Sequence, residues 1–449
     1  MDEHSTLMTE GTIWKKIVRF ALPVFWGNLF QQLYNVVDSL VVGNFLGSEA
    51  LAAVGSSGSL IFLLVGLFSG VFLGAGVVVS RYFGARDDQR VADAVHTTVA
   101  FGILSGAVLT LIGLIASPLI LRLIGTPENV LPSSLAYFRI YFGGVLATVL
   151  YNTSSGIFQA VGDSRHPLYY LIVSSVLNVV LDLLFVVVLG MGVSGAAFAT
   201  VLSQAVSAYL GLRQLSRVTA SYRLRWRKVR LHGPMLREIL RMGIPSGVQN
   251  SIIALANIVV QGNINAFGAM AMAGCGAYMK IEGFGFLPIT SFSMAMTTFI
   301  GQNLGAKQYD RARRGARFGI LCCILLAEGV GALIDLAAPA LISTFNQTPE
   351  VIAYGTMQAR TVTLFYCLLA FSHCIAGILR GAGKSVVPML VMMVCWCVIR
   401  ITYISVVVPM VRDIRAVFWA YPLTWSLSSA AFLVYYLRAD WIHGYEKAR

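Results

Sequence analysis

The sequence predicts an all-α integral membrane protein with twelve transmembrane helices in two six-helix bundles, and three observations lead to this fold class. The chain has 449 residues, of which 57% are hydrophobic and only 12% are charged, whereas a soluble domain carries about 25% charged residues. Its apolar residues form twelve runs, each long enough for a bilayer span of about 20 residues. Landmarks of the first half return about 221 residues later.

The apolar runs are separated by polar segments that contain glycine, proline or charge. The 43 glycines suit helices in lipid, because small residues let helices approach one another closely. The seven cysteines lie in apolar runs of the second half, which is typical of buried side chains and not of a metal site. The predicted spans are 16–46, 51–80, 94–121, 133–161, 167–189, 194–215, 241–267, 273–300, 317–344, 351–379, 386–409 and 417–438.

Lysine and arginine predict the orientation. Of these 33 residues, 26 lie in the N-terminal segment, the even-numbered loops and the C-terminal tail, and the odd-numbered loops hold only Arg122, Arg412 and Arg415. Basic loop residues stay on the cytoplasmic side. We therefore expect a multi-pass protein of the cell (inner) membrane with both termini in the cytoplasm. This distribution explains the net charge of +13 without a nucleic-acid partner.

The two halves align with each other over about 150 positions, with insertions of one residue or none. The matched pairs include Pro23 and Pro245, Gly84 and Gly305, Thr126 and Thr348, Arg139 and Arg360, and Gly156 and Gly377. Each repeat has an even number of spans, so the second enters the membrane from the same side and the repeats are parallel. Such repeats favour a carrier whose two bundles rock around a cavity; a channel is the alternative. The predicted segments are an N-terminal lobe 1–215, a cytoplasmic linker 216–240, a C-terminal lobe 241–438 and a tail 439–449.

Three segments carry a family resemblance. They are Pro23–Gly43 with Gln31, Gln32, Tyr34 and Val37-Asp38-Ser39; the loop at Gly84; and its repeat Gly301-Gln302-Asn303-Leu304-Gly305-Ala306. These segments resemble the multidrug and toxic compound extrusion (MATE) family, and the similarity covers nearly the whole chain. The resemblance implies a V-shaped carrier, not an enzyme, that exports drugs or metabolites against an inward proton or sodium gradient.

Ionisable residues inside the first six spans predict an ion site. An intramembrane charge costs about 2.5–3.5 kcal/mol on insertion scales. Counting from the outer helix ends at 1.5 Å per residue places Asp38 about 12 Å, Asp182 about 11 Å and Thr200 about 9 Å deep. Asn178 lies one turn from Asp182 on the same face. The family resemblance also assigns cation coupling to these four positions.

The chemistry of this cluster leaves the ion open. Hard oxygen ligands suit a small cation such as sodium, whereas two close carboxylates in a low dielectric suit a proton carrier. A buried polar network that only joins helices is the other interpretation.

The second half lacks this arrangement. The positions that match the two acids are Val260 and Tyr403, and the charges in this region are Lys280, Glu282 and Arg400. A net positive region repels a bare cation, so we expect coupling to be confined to the N-terminal lobe. Glu282 with Arg400 is interpreted either as a structural ion pair or as a contact to the substrate.

Further residues are candidates for the substrate cavity and for hinges. Gln31, Tyr34 and Asn152 suit the cavity of the N-terminal lobe, because aromatic faces attract organic cations. Pro23 and Pro245 lie early in spans 1 and 7, where a missing backbone N–H permits bending. We expect a monomer, surrounded by membrane lipids and without a cofactor, that exports cationic or amphipathic molecules in exchange for H⁺ or Na⁺.

Two other functions compete with this prediction. A flippase for lipid-linked precursors, from the same superfamily, needs a cationic cavity for pyrophosphate, and Lys280 and Arg400 are the only deep basic residues that the sequence offers. An integral membrane enzyme needs a nucleophile, a metal cluster or paired acids at a membrane-embedded site. No histidine lies at ligand spacing from a second one, and we therefore do not expect an enzyme.

Overall fold

The computed structural model describes residues 6–123 and 126–443, which are helical apart from short turns and contain no β-strand. The end of the predicted tail, with Lys447 and Arg449, lies outside the described residues. The α-helices are α1 (Ile13–Leu46), α2 (Ser48–Gly84), α3 (Asp88–Leu123), α4 (Leu131–Gly143), α5 (Val145–Ala160), α6 (Arg165–Asp182), α7 (Gly192–Arg217), α8 (Gly233–Asn265), α9 (Ala269–Gly305), α10 (Tyr309–Ser343), α11 (Pro349–Val362), α12 (Tyr366–Gly381), α13 (Val386–Met392), α14 (Arg400–Val411) and α15 (Ile414–Arg438). Shorter helical turns are the π-helical segments Leu183–Val188 and Met393–Ile399 and the 3₁₀ segments Trp226–Lys228 and Thr363–Phe365.

Each of the twelve predicted spans coincides with one helix or with two or three consecutive helical segments. Within the described part, ten helices are long and apolar enough to cross a membrane, and α4 with α5 adds an eleventh as a bent pair. The remaining predicted span, 16–46, coincides with α1, which has 34 residues, long enough to cross a bilayer, and carries three basic residues near its start. The structure therefore confirms the predicted all-α membrane fold.

The span formed by α4 and α5 is bent by 48° where two glycines, Gly143 and Gly144, follow each other. A Cβ atom on Gly144 would lie 2.1 Å from Cγ1 of Val201 on α7, a distance that no side chain tolerates. Glycine thus lets α7 pack directly against the backbone at the bend.

The chain divides into two compact units. Unit 1 comprises Met1–Leu7 and Trp26–Ile244, and unit 2 comprises Met8–Phe25 and Pro245–Arg449. One boundary falls inside α1, two residues after Pro23, and the other falls inside α8 at Pro245. Consequently α1 and α8 each contribute one part to each unit.

The predicted linker 216–240 is an ordered part of unit 1. Tyr222 and Leu224 are buried in a hydrophobic cluster with side chains of α2 and α3. The backbone nitrogen of Arg225 donates to Nε2 of His96 on α3 at 3.0 Å. The polar composition of this segment therefore does not keep it free of the helices.

The segment that precedes α1 is bound in unit 2. The backbone nitrogen of Met8 donates to Oε1 of Gln302 at 2.8 Å, and Nη1 of Arg311 donates to the carbonyl oxygen of Gly11 at 2.7 Å. Ile17 and Phe20 of α1 are buried in the hydrophobic core of this unit. Part of the family-like segment 301–306 thus serves to hold the start of the chain.

Candidate functional site

Four polar residues from three helices of unit 1 meet in buried surroundings. Asp38 lies on α1, Asn178 and Asp182 lie on α6, and Thr200 lies on α7. Asp182 is fully buried and Asp38 retains 9% of its surface. A π-helical turn begins directly after Asp182, and such turns are frequent at functional sites. The structure brings together the four residues that helix counting places at one depth.

Asn178 joins α6 to α7. Its amide nitrogen donates to Oδ2 of Asp182 at 2.8 Å, and its amide oxygen accepts from the backbone nitrogen of Thr200 at 3.2 Å. This orientation of the amide satisfies both its donor and its acceptor. The hydroxyl of Thr200 donates to the carbonyl oxygen of Ala196 at 3.1 Å and lies 3.5 Å from the hydroxyl of Tyr34 on α1. Hydrogen bonds therefore reach from α6 to α7, and this hydroxyl contact extends the network to α1.

The carboxyl groups of Asp38 and Asp182 lie close enough to interact directly with each other. A hydrogen bond between them requires a proton, because a carboxylate offers only acceptors. Apart from this contact, Oδ1 of each acid is buried without a hydrogen-bond partner among the described residues. Buried polar atoms without partners are rare in folded proteins, and carboxylate oxygens are the ligands that small hard cations prefer. The pair is thus chemically suited to take up one small cation.

The surroundings of the acid pair are apolar. Val41, Val42, Val186 and Ala197 form a buried cluster beside it. No described basic side chain forms an ion pair with either acid. Charges in this region are therefore weakly screened, and electrostatic interactions are stronger than at a surface.

Sequence reasoning missed Tyr137 on α4. This buried tyrosine interacts electrostatically with Asp38 and Tyr34, and its ring stacks on that of Tyr141 with centroids 6.5 Å apart. The only sequence signal is an aromatic pair one turn apart in span 4. That pattern is as typical of a lipid-facing or core helix as of a site.

The candidate cavity residues of unit 1 have different positions. Tyr34 contacts the acid cluster through Thr200. Gln31 is exposed on α1, about two turns before Asp38, and Asn152 is half-buried on α5. No hydrogen bond among the described residues joins Gln31 or Asn152 to the cluster, so only Tyr34 is part of it.

In unit 2, Arg400 is buried against aromatic and hydroxyl groups. Its Nη2 and Nε donate to Oγ1 of Thr424 at 2.8 and 3.2 Å, and the guanidinium lies 4.5 Å from the ring centre of Tyr421. Glu282 instead accepts from the hydroxyl of Tyr278, one turn away, at 3.4 Å. The two charges interact at longer range.

The structure therefore corrects one of the two sequence interpretations, the direct ion pair between Glu282 and Arg400. Among the described residues, the structure contains no ion pair between these side chains, because each has a nearer partner. Lys280 is exposed, and its Nζ lies 5.4 Å from the ring centre of Phe345. Residues two apart on a helix point to nearly opposite faces, so Lys280 and Glu282 do not share a site.

Comparison with known proteins places this geometry in a family. The MatE family model matches residues 23–184 and again residues 245–405, which confirms the internal repeat. The chain is 30% identical over 441 residues to the probable multidrug resistance protein YoeA of Bacillus subtilis, covering 95% of this chain and 94% of that protein. It is 28% identical over 440 residues to the probable multidrug resistance protein YpnP of the same organism, covering 96% and 97%.

Solved structures agree with the sequence comparison. The crystal structure of MATE in complex with MaL6 superposes with a TM-score of 0.90 at 25% identity and covers 98% of both chains. The structure of MATE in the bent conformation, at 24% identity, shares the fold with a TM-score of 0.91. The chain therefore belongs to the MATE family of multi-pass multidrug efflux transporters, which are not enzymes.

Proposed function

We propose that this transporter is a cation-coupled antiporter that exports small cationic or amphipathic organic molecules by alternating access. Asp38, Asn178, Asp182 and Thr200 bind the coupling ion, H⁺ or Na⁺, within unit 1. The observation that carries this proposal is the contact between two buried carboxyl groups, which no described basic side chain neutralises.

When the ion leaves, the carboxylates of Asp38 and Asp182 repel each other. Two like charges about 4 Å apart repel by about 4 kcal/mol at an effective dielectric of about 20. A proton or sodium ion between the two carboxyl groups removes this repulsion, and its departure restores it. Because Asp38 is on α1 and Asp182 is on α6, departure of the ion pushes α1 away from α6.

Competition on α1 couples this movement to the substrate. Tyr34 lies one turn before Asp38 and contacts Thr200 of the ion site. With Gln31 it forms the α1 side of the proposed substrate cavity, and Asn152 forms the α5 side. Ion binding draws α1 towards α6 and α7, whereas substrate binding requires the separated arrangement. Antiport then follows from mutual exclusion, a negative coupling between two sites.

Two prolines are placed to absorb the movement. Pro23 lies inside α1 and Pro245 inside α8, and each stands at or next to the boundary between the two units. Proline removes one helical hydrogen bond and weakens the helix at that point. We propose these positions as the hinges at which the two parts of α1 and of α8 change their angle.

Unit 2 contributes to substrate binding and not to coupling. Glu282 offers a carboxylate to a cationic substrate, and Arg400 with Tyr421 and Trp396 provides a polarised aromatic surface. The distribution of basic residues supports an inner-membrane location with cytoplasmic termini. The proposed active form is a monomer.

The test is transport of a fluorescent organic cation in proteoliposomes, with sodium and pH gradients imposed separately. The gradient that drives transport in the wild type identifies the ion. Asp38→Asn should abolish gradient-driven transport, because one ligand or proton acceptor is lost while helix α1 keeps its packing.

Glu328→Gln is the matched control. Glu328 is another carboxylate within a predicted span, and its Oε2 accepts a hydrogen bond from the backbone nitrogen of Cys367 at 3.0 Å. The amide oxygen of glutamine can accept the same bond. This variant should transport normally. Undiminished, gradient-dependent transport by Asp38→Asn would show that the ion site lies elsewhere.

A further inference from the structure

Unit 2 carries an open groove between α11 and α15, with a volume of about 790 Å³. Its walls include the aliphatic side chains of Met357 and Leu364 and the rings of Phe365 and Trp419. These rings meet edge to face, with centroids 5.8 Å apart. The groove is therefore mainly apolar.

Two arginines line this apolar groove. Arg360 of α11 and Arg415 of α15 are both exposed. Neither side chain forms a hydrogen bond or an ion pair with any residue that the structure describes. The acid nearest in sequence, Asp413, accepts from the backbone nitrogen of Arg415 at 2.8 Å and so caps the helix. Two guanidinium groups thus remain available to a ligand.

The groove lies at the depth of lipid headgroups. At 1.5 Å per residue, Arg360 is about 32 Å from Gly381 at the far end of its span, and Trp419 is about 29 Å from Arg438. The hydrocarbon core of a bilayer is about 30 Å thick. Both residues therefore lie at the membrane–water interface on the side away from the basic loops, where tryptophan is favoured.

In the matching region of unit 1, the corresponding arginine has an internal partner. Arg139, the counterpart of Arg360, donates from Nε to Oγ of Ser117 at 3.3 Å. The residue that matches Ser117 is Ala338, which cannot accept this bond. At an offset of 221 the counterparts of Arg415 and Phe365 are Ser194 and Gly144. The free arginine pair is therefore a property of unit 2 alone.

We propose that this groove binds one anionic phospholipid from the membrane leaflet that faces away from the basic loops. The phosphate lies between Arg360 and Arg415, because guanidinium groups form paired, charge-assisted hydrogen bonds with phosphate oxygens. The acyl chains follow Leu364 and Phe365, which come after Arg360 in the inward direction, towards the hydrocarbon core. A zwitterionic lipid binds less well, since its ammonium group opposes two positive charges.

Native mass spectrometry of the full-length protein tests this site. The detergent-purified protein is titrated with phosphatidylglycerol and, separately, with phosphatidylcholine. The wild type should retain phosphatidylglycerol about tenfold better, and Arg360→Gln/Arg415→Gln should lose this preference because the charge-assisted bonds are gone. Each single variant should lie between these values.

Arg139→Gln is the matched control and should keep the full preference. Circular dichroism and retention of phosphatidylcholine report whether the double variant is folded, as the exposure of both arginines leads us to expect. Equal retention of the two lipids by the wild type overturns the proposal, as does an equal loss in Arg139→Gln. Displacement of the phospholipid by millimolar inorganic phosphate or by an anionic drug, with no lipid preference left, also overturns it.

Discussion

The two units share a backbone plan but place their charges differently at two depths. In mid-span, unit 1 holds Asp38 and Asp182 without a described basic partner, whereas unit 2 holds Arg400 among aromatic rings. At the membrane–water interface, Arg139 of unit 1 donates a hydrogen bond to Ser117, whereas the side chain of Arg360 in unit 2 forms no hydrogen bond with a described residue. The same family model matches both halves of the chain, so the repeat preserves the helical plan and leaves charge free to diverge. The divergent positions are therefore where the two units acquire separate roles.

Cysteine labelling tests whether the units are parallel copies at all, and its expected effect is all or none. Single cysteines at Glu128 and Glu350, in matched loops, should react fully with a membrane-impermeant maleimide in intact cells. A cysteine at Lys307 should not react, because it lies in a basic loop. The seven native cysteines are first replaced, and the unlabelled parent is the control. Reaction of positions 128 and 350 from opposite sides of the membrane would show that the two repeats are not parallel.

The next largest effect concerns which unit couples the ion. Asp182→Asn should reduce gradient-driven transport at least about 100-fold, because repulsion of about 4 kcal/mol between two acids no longer depends on the ion. Glu282→Gln, in the other unit, should change the substrate affinity and preserve the linkage between ion and substrate. Proteoliposome flux at several substrate concentrations separates affinity from coupling.

Loss of linkage in Glu282→Gln would move the coupling ion into unit 2. Equal sensitivity of both variants would remove the division of roles altogether. Each variant is compared with Glu328→Gln, whose carboxylate lies outside both proposed sites.

The fold was predictable from sequence because apolar run length and basic loop bias are strong signals. Helix counting also brought Asp38 and Asp182 to one depth. It did not predict the partners of Glu282, since the phase of a helix and the rotamer decide whether a side chain meets a tyrosine one turn away or a distant arginine. The groove was not predictable either, because it depends on which side chains of other helices lie beside Arg360.

A third test of the difference between the two units concerns the role of Arg400. A buried ion without a counter-ion loses its hydration at a cost of several kcal/mol, and an apolar residue of similar size removes this cost. Thr424 keeps its bond to the carbonyl oxygen of Ala420 at 2.8 Å, so Arg400→Met leaves no hydroxyl without a partner. We expect an unchanged or higher midpoint of thermal unfolding and a weaker response to substrate.

A double-mutant cycle with Glu282→Gln completes this test. Because the described side chains form no direct ion pair and their charges interact only at longer range, their coupling energy in stability should be well below that of a direct ion pair. A lower midpoint of thermal unfolding in Arg400→Met, with a large coupling energy to Glu282, would instead support the structural ion pair that the sequence suggested.

The smallest expected effect comes from making unit 2 resemble unit 1 at one atom. Ala338→Ser places a hydroxyl where Ser117 stands in the other repeat and offers Arg360 an internal acceptor. A hydrogen bond from a charged donor contributes about 1.5–3 kcal/mol. Because Arg360 keeps its charge and its other donors remain available to the phosphate, we expect the retention of phosphatidylglycerol to fall only roughly twofold to fivefold. Ala338→Cys adds a side chain of similar volume that is only a weak acceptor, so it should have little effect.

The reciprocal variant in unit 1 is Ser117→Ala. It removes the partner of Arg139 but creates no lipid site, since unit 1 has glycine and serine where unit 2 has Phe365 and Arg415. Equal losses in the serine and cysteine variants would mean that volume, and not a competing hydrogen bond, controls the groove.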